Sequence, residues 1–548
     1  MIAVNRAGGL SAALVSMFLA ACGGGGGGSS PPPAPAPAPT PAPAPTPAPY
    51  TLTPTSATAA FVAGYPQDIV MTARQTVAFS GLVYIMVTAD AAVVQSPLSV
   101  AVNNDGTATV TVKPLASLAA GHYAGDITVN VCTDVNCAHP LAGAPFKVPY
   151  DFTVLSPDGS VTTFNLTPLS PLAGGTDWGT FQGNAAHTGY VPVTLDATTF
   201  SRRWRQDAPA TAGVQWTLSY VTTGGGRYYV ANGGFPSGLG SGRHDVFAYA
   251  ESDGSKVWSH SFDDLYWGNT NPPAFSNGQV YIAAGSQQYT SMFAFDAATG
   301  TQLFKSQMAS QWENYLAPTV LDGKVYTDGG SYGGMYAFDA TSGSQTFFAN
   351  AGQYDGWTPA VDATRAYAFT NGALSIYDNQ TGATLATIAD PTWSWSGYTI
   401  HGSPVLGAAN VVYAANLGNM SSNSIVSFDT STNAVRWTAT GPFAGNPAYD
   451  GGVLYAVNKM PFELEALSEA DGSKVWTWTP PASAGTFVSD VLLTRNLVFV
   501  STTGGTYAID RTTHKTVWND AASGALALSA NGVLYIQGAH AIVAINVK

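Results

Sequence analysis

Charge is what this chain has least of. Charged residues are 10 % of 548, and 20 Lys and Arg face 33 Asp and Glu, for a net charge of −13. So acidic a balance excludes nucleic acid as a partner, because phosphate binding needs a positive surface. It also leaves no basic stripe for anionic headgroups. Cysteine is nearly absent, at 3 residues, with no C-x-x-C, no C-x-x-C-H for covalent haem and no vicinal pair. No apolar run is long enough to span a bilayer as a helix. What the chain does have is glycine, 59 residues, and aromatics, 11 %. That composition suits many short strands joined by tight turns.

The first 22 residues, MIAVNRAGGLSAALVSMFLAAC, carry one basic residue, an apolar run from Leu10 and small residues before Cys22. The run is too short to span a membrane and reads as a signal peptide over residues 1–21. Leu19-Ala20-Ala21-Cys22 resembles the bacterial lipobox, which makes Cys22 the expected lipidated N-terminus. Gly23 follows it, where an Asp would resemble an inner-membrane retention signal, so the outer membrane is favoured. Attachment to a membrane is then expected through the lipid alone. Residues 22–49 follow as a Gly/Ser run and then PPPAPAPAPTPAPAPTPAP, an extended polyproline spacer. At about 3.1 Å per residue it reaches roughly 60 Å.

Residues 50–155 alternate apolar and polar in five to seven short segments, which predicts a small β-sandwich of immunoglobulin-like type. Cys132 and Cys137 in VCTDVNC lie close together, and an exported chain permits a local disulfide there. A redox or metal pair is the other reading, without a C-x-x-C or a second pair to support it. His122 and His139 stand alone. Residues 156–176 read as a linker.

The remainder, 177–548, is repetitive. The phrase A-F-D-x-x-[ST]-G-x-x-x-W recurs with ends at Trp258, Phe304, Phe347, Ala386, Trp437, Trp476 and Trp518. An upstream strand pair, x-P-x-x-x-x-G-x-V-Y, occurs eight times with variations. The last pair is followed by AIVAINVK alone, one strand short, while TFSRRWRQ supplies a lone strand with Trp204 before the first pair. A ring in which the early strand completes the last sheet leaves no edge open, which predicts an eight-bladed β-propeller. In the phrase, Asp296, Asp339, Asp378, Asp429 and Asp510 are expected to accept turn N–H groups. Gly254, Gly300, Gly343, Gly382 and Gly472 are expected to supply positive φ. Asn433 and His514 stand at the same place. Trp204, Trp258, Phe304, Phe347, Trp437, Trp476 and Trp518 are spaced to pack between blades. Ala386 breaks that series, and a weaker junction is expected there.

These repeats, with the lead-in WGTFQGNAAHTGY, resemble the quinoprotein-like propeller family, whose repeats are named after pyrroloquinoline quinone (PQQ). The resemblance covers about 370 residues. One branch implies PQQ held with Ca²⁺, an aspartate base and adjacent cysteines. The propeller region here contains no cysteine. A second branch is the outer-membrane lipoprotein propeller of the barrel-assembly machinery. The expectation is therefore a non-enzymatic binding or scaffold propeller for a protein or glycan, with no cofactor, and a PQQ- and Ca²⁺-dependent oxidoreductase as the alternative. A ligand face is sought among aromatics and amides before the inner strands: Trp267, Asn269, Trp312, Asn314, Trp357, Trp393, Trp395 and His401. The same rings would serve as channel filler, and His401 reads as structural, having no nucleophile partner.

Overall fold

The computed structural model describes residues 2–4, 50–64, 66–76, 83–102, 107–141, 143–156, 158–211, 214–236, 242–262, 270–285, 290–310, 314–329, 333–395, 397–400, 402–416 and 423–548. Cys22, Trp267, Asn269, Trp312, His401 and the 22–49 tether up to Pro49 lie outside them. The chain divides into two units, Met1–Pro157 and Asp158–Lys548.

The first unit is two sheets on one apolar core. One sheet runs in the order Ile2–Val4, Val83–Thr88, Gly121–Cys132, Phe146–Leu155, Ala57–Val62, with the last pair parallel. The other runs Tyr50–Thr53, Ile69–Gln75, Thr107–Val112, Ser99–Val102. Alternation along Phe146–Leu155 turns Val148, Tyr150, Phe152 and Val154 inward against Phe61 and Ile127. Cys132 and Cys137 are disulfide-bonded, their Cα atoms 5.1 Å apart.

The second unit is all-β and propeller-like. Among the described residues it holds eight antiparallel sheets of successive strands. The first seven begin at Val214, Ala274, Thr319, Ala360, Val405, Phe443 and Leu492. The eighth, Ala525–Leu528, Val533–Gln537 and Ala541–Asn546, takes its next strand from Ser201–Asp207, with Trp204 opposite Ala544. Of residues 156–176, read from sequence as a linker, those from Asp158 onward belong here too. Ser160–Thr163 pairs with Ser201–Asp207 as a further strand, and Leu169 and Leu172 pack against the core of that sheet. All four residues of the strand are exposed. Its order comes from edge hydrogen bonds and not from apolar burial, so no periodicity announced it.

The repeated phrase builds the contact from one sheet to the next. Asp296 Oδ1 accepts the N–H groups of Ala298 and Thr299, and the Gly300 N–H reaches the Asp296 carbonyl. Where that turn carries glycine, the ring ending the preceding sheet lies on it. A Cβ on Gly254 would meet Trp204 at 3.2 Å, on Gly300 Trp258 at 2.7 Å, on Gly343 Phe304 at 2.5 Å, and on Gly472 Trp437 at 2.6 Å. The glycine therefore serves twice, for its positive φ and for the missing side chain. At Trp204, Trp258 and Trp437 the indole N–H donates to a carbonyl of that turn, of Glu251, Ala297 and Glu469 respectively. Where the ring is Phe, a tyrosine of the same sheet takes over, Tyr281 to Ala340 and Tyr326 to Asn379. His514, with φ 60°, stacks on Trp476 at 4.4 Å. Trp204, Trp258, Phe304, Phe347 and Trp437 are buried, while Trp476 and Trp518 are half-buried.

Candidate functional site

The lead-in segment organises the centre of the second unit. From Asp177 to Val193 it touches every sheet in order. Asp177 accepts the Ala530 N–H from the eighth and the Gly225 N–H from the first. Gly179 accepts from Phe275, and the Thr180 hydroxyl donates to the Pro318 carbonyl. Ala185, Ala186, Thr188 and Gly189 then accept from Val361, Leu406, Tyr449 and Leu493. A segment with no strand of its own thus has its backbone groups satisfied by the sheets around it. His187 is fully buried inside this loop, bonded to Pro404 O and Thr319 Oγ1, and burial lowers its pKa to about 3. It is a neutral structural histidine.

Beside this segment lies a cavity of about 400 Å³. Trp178, Thr180, Phe181 and Gln182 line one part of it, and residues in or just before the inner strands, with Asn423 and Lys459, line the rest. Aligning the sheets on the proline of the strand-pair phrase gives one equivalent residue per sheet: Tyr220, Pro272, Ala317, Thr358, Ser403, Asn446, Asp490 and Ala525. Four consecutive members form a polar arc. The Thr358 N–H donates to Ser403 Oγ, the Ser403 N–H to Asn446 Oδ1, and the Asn446 N–H to Asp490 Oδ1 at 2.6 Å. Asn446 Nδ2 adds a second bond to the same Asp490 oxygen, 3.2 Å. The arc ends there, since Ala525 in the next sheet offers no acceptor side chain. Enclosure in the cavity raises the Asp490 pKa; Tyr220 is 49 % exposed as a residue, and desolvation of its phenol followed by the Asp490 charge pushes it up to about 12.

Of the expected ligand face, the described residues Asn314, Trp357, Trp393 and Trp395 do not line this cavity. Asn314 donates through its backbone and Nδ2 to Asp355 Oδ2 and serves as a tie between sheets. Trp357 is fully buried, its indole N–H on the Tyr354 carbonyl, and acts as filler. Trp393 is half-buried, covering Gly372 so closely that no Cβ fits there. Trp395 and Tyr398 are different: they are 57 % and 62 % exposed. Their rings meet edge to face at 5.8 Å, and Tyr354 lies 6.0 Å from Tyr398. Sequence reading singled out this loop but missed Tyr220, Asn446 and Asp490. Writing the eight repeats in register would have found them, because their position is otherwise small or apolar.

The donor set does not fit a Ca²⁺-assisted quinone. Calcium takes six to eight oxygen ligands, usually with several carboxylates. The cavity offers one carboxylate, with one oxygen already committed to Asn446, and no sulfur. Among the described residues no three His, Cys, Asp or Glu gather to hold a metal.

The crystal structure of BamB from Moraxella catarrhalis is similar in fold, at 17 % identity and a TM-score of 0.48, over 64 % of this chain and 100 % of that one. A computationally designed protein, Ika8, aligns at 12 % identity and a TM-score of 0.45, over 62 % of this chain and 98 % of its own. No curated protein matches the sequence. The family described as outer membrane protein assembly factor BamB matches over residues 242–478 and 370–545, more than half of the 548 residues. The chain belongs to that family.

Proposed function

We propose that the protein is a cell-envelope lipoprotein whose propeller is a non-enzymatic scaffold for a protein partner. In this reading the eight sheets are the blades of a closed ring latched by Ser201–Asp207, and the first unit is an immunoglobulin-like spacer. Residues 22–49 tether both to a lipid on Cys22 in the outer membrane. Membership of a family described as an assembly factor for outer membrane proteins supports the envelope and a protein partner over a glycan. The observation that carries the reading is the Trp395–Tyr398 pair. Two large rings left in water beside a half-buried Trp393 have the composition of a binding hot spot.

A photo-crosslinking residue placed at position 395 or 398 in cells tests this. The expected result is one discrete adduct with an envelope protein, lost in the W395A/Y398A background when the crosslinker sits at 393. Absence of any adduct overturns the reading. So does a thermal shift of the purified chain by PQQ with Ca²⁺ together with dye-linked oxidation, which would establish the oxidoreductase alternative. Cys22→Ser is expected to release the protein from the membrane fraction.

A further inference from the structure

The polar arc in the central cavity has an unused end. Thr358, Ser403 and Asn446 each donate a backbone N–H to a side-chain oxygen of the next sheet, and each of those oxygens is thereby occupied. Asp490 is the last acceptor. Its Oδ1 receives both bonds from Asn446, and Oδ2 has no hydrogen bond and no ion pair within 4.0 Å among the described residues. If the sole task were to tie the sixth sheet to the seventh, an asparagine or serine would suffice, as at Asn446 and Ser403. The chain instead places a half-buried carboxylate there, with one oxygen left free at the cavity, where enclosure works against ionisation and a bound cation would favour it.

The opposite half of the same ring is apolar. Ala525, Pro272 and Ala317 hold the equivalent positions, with Leu316 and Leu526 beside them in the wall. Tyr220 interrupts this half; its phenol stays protonated, and it lies close enough to Asp490 to be shifted by its charge. The cavity thus offers an anionic oxygen from the seventh sheet and a phenol set among aliphatic residues; Lys459 of the sixth sheet also lines the wall but makes no ion pair with Asp490 within 4.0 Å among the described residues. Its volume, about 400 Å³, is at the lower end of small-molecule sites. A peptide backbone would call for a row of hydrogen-bonding partners, which the apolar half does not provide.

We propose that this cavity binds a small organic cation, a primary ammonium or guanidinium on a short apolar body. The ammonium donates to Asp490 Oδ2 and to the Tyr220 oxygen, and the apolar body lies on Ala525, Leu526, Pro272 and Ala317. The site is independent of the Trp395–Tyr398 loop, and its occupancy requires no partner protein.

Calorimetric titration of the full chain with 2-phenylethylamine and with agmatine, each against 2-phenylethanol, tests it. The expected result is saturable binding of at least one cation and binding of the alcohol at least about tenfold weaker. Asp490→Asn keeps an acceptor for the Asn446 N–H, so the tie between sheets survives, and it is expected to weaken the cation at least about tenfold. Val488→Trp fills the cavity wall, leaves Asp490 in place, and is expected to abolish binding with an unchanged circular-dichroism spectrum. Equal affinity for amine and alcohol overturns the proposal. So does wild-type affinity in Asp490→Asn or in Val488→Trp, or no saturable binding of either cation below about 10 mM.

Discussion

The outer strands of the second and fourth sheets solve one packing problem in opposite ways. In the second, Phe304 pairs across the strands with Ala294 and lies on Gly343 of the third sheet. In the fourth, Ala386 pairs with Ile376, and the turn of the fifth sheet carries Asn433 at φ 54° in place of glycine. Large and small have changed strands, and the turn has regained a side chain where no ring presses on it. Across the other outer strand pairs the residue opposite the ring is again small: Ala248, Ala337, Ser427, Ala466, Ala508 and Ala544. Three positions, on two paired strands and in the turn of the next sheet, therefore act as one unit. The junction expected to be weak at Ala386 has its volume supplied by Ile376, which is 2 % exposed.

The largest expected effect comes from breaking the second-sheet set at its centre. Phe304→Ala should cost about 3–5 kcal/mol, since both Ala294 and Gly343 leave the space unfilled. Adding Ala294→Ile and Gly343→Asn, the fourth-sheet solution, should recover a large part of that loss in denaturant unfolding. If the triple variant is no more stable than the single one, the three positions are not coupled.

The converse tests the fourth sheet. Ala386→Phe alone should destabilise by about 1–3 kcal/mol through overpacking against Ile376. With Ile376→Ala and Asn433→Gly the deficit should shrink, and a double-mutant cycle reads the coupling. A smaller effect is expected at the seventh sheet, where a histidine replaces the turn glycine. His514→Ala loses the stack on Trp476, for about 0.5–1.5 kcal/mol. His514→Gly should cost less, because glycine adopts the positive φ freely.

The smallest expected effect separates exposed from buried turn carboxylates by pH. Hydrogen bonds from Thr299, Ser342, Thr381, Ser431 and Thr513 hold Asp296, Asp339, Asp378, Asp429 and Asp510 below the usual Asp value. Their contribution is present above the unfolded pKa of about 3.9 and is lost as pH falls through the folded values. Glu251 has the opposite sign: it is 1 % exposed, and burial raises its pKa despite bonds from Asn531 and Tyr535. Its contribution is present below the usual value of 4.5 and is lost as pH rises through the folded value. Denaturant midpoints across pH should therefore fall on the acid side in both wild type and Glu251→Gln, with the neutral-side slope flattened only in the variant. An unchanged neutral slope would remove Glu251 from the account.

Much of the second unit was legible because each hairpin repeats a local solution. Asp accepts turn N–H groups within its own neighbourhood, and glycine at positive φ is a local requirement, so neither depends on the rest of the molecule. The second reason for that glycine, a ring from the preceding sheet, was not legible at any single repeat. The exchange at Ile376 and Ala386 was present in the letters, but it becomes visible only when strand register sets the two residues opposite each other. The candidate site was less legible still. Trp357 and Trp395 are chemically alike in sequence; one is fully buried and the other more than half exposed. Asp490 looks like any loop acid until its neighbours from other sheets are known.

By itself, the sequence determined the strands, their turns and the recurrence that makes them sheets of one kind, because hydrogen bonding within hairpins and alternation along strands are short-range. Only the tertiary structure decided which aromatics face water, and that Thr358, Ser403, Asn446 and Asp490 from four successive sheets join in one hydrogen-bonded arc. Those outcomes depend on contacts between residues tens to hundreds of positions apart, such as Arg203 with Asn546 and Thr180 with Pro318. No local pattern encodes such a contact, since it is the packing of whole sheets around a common centre that brings the partners together.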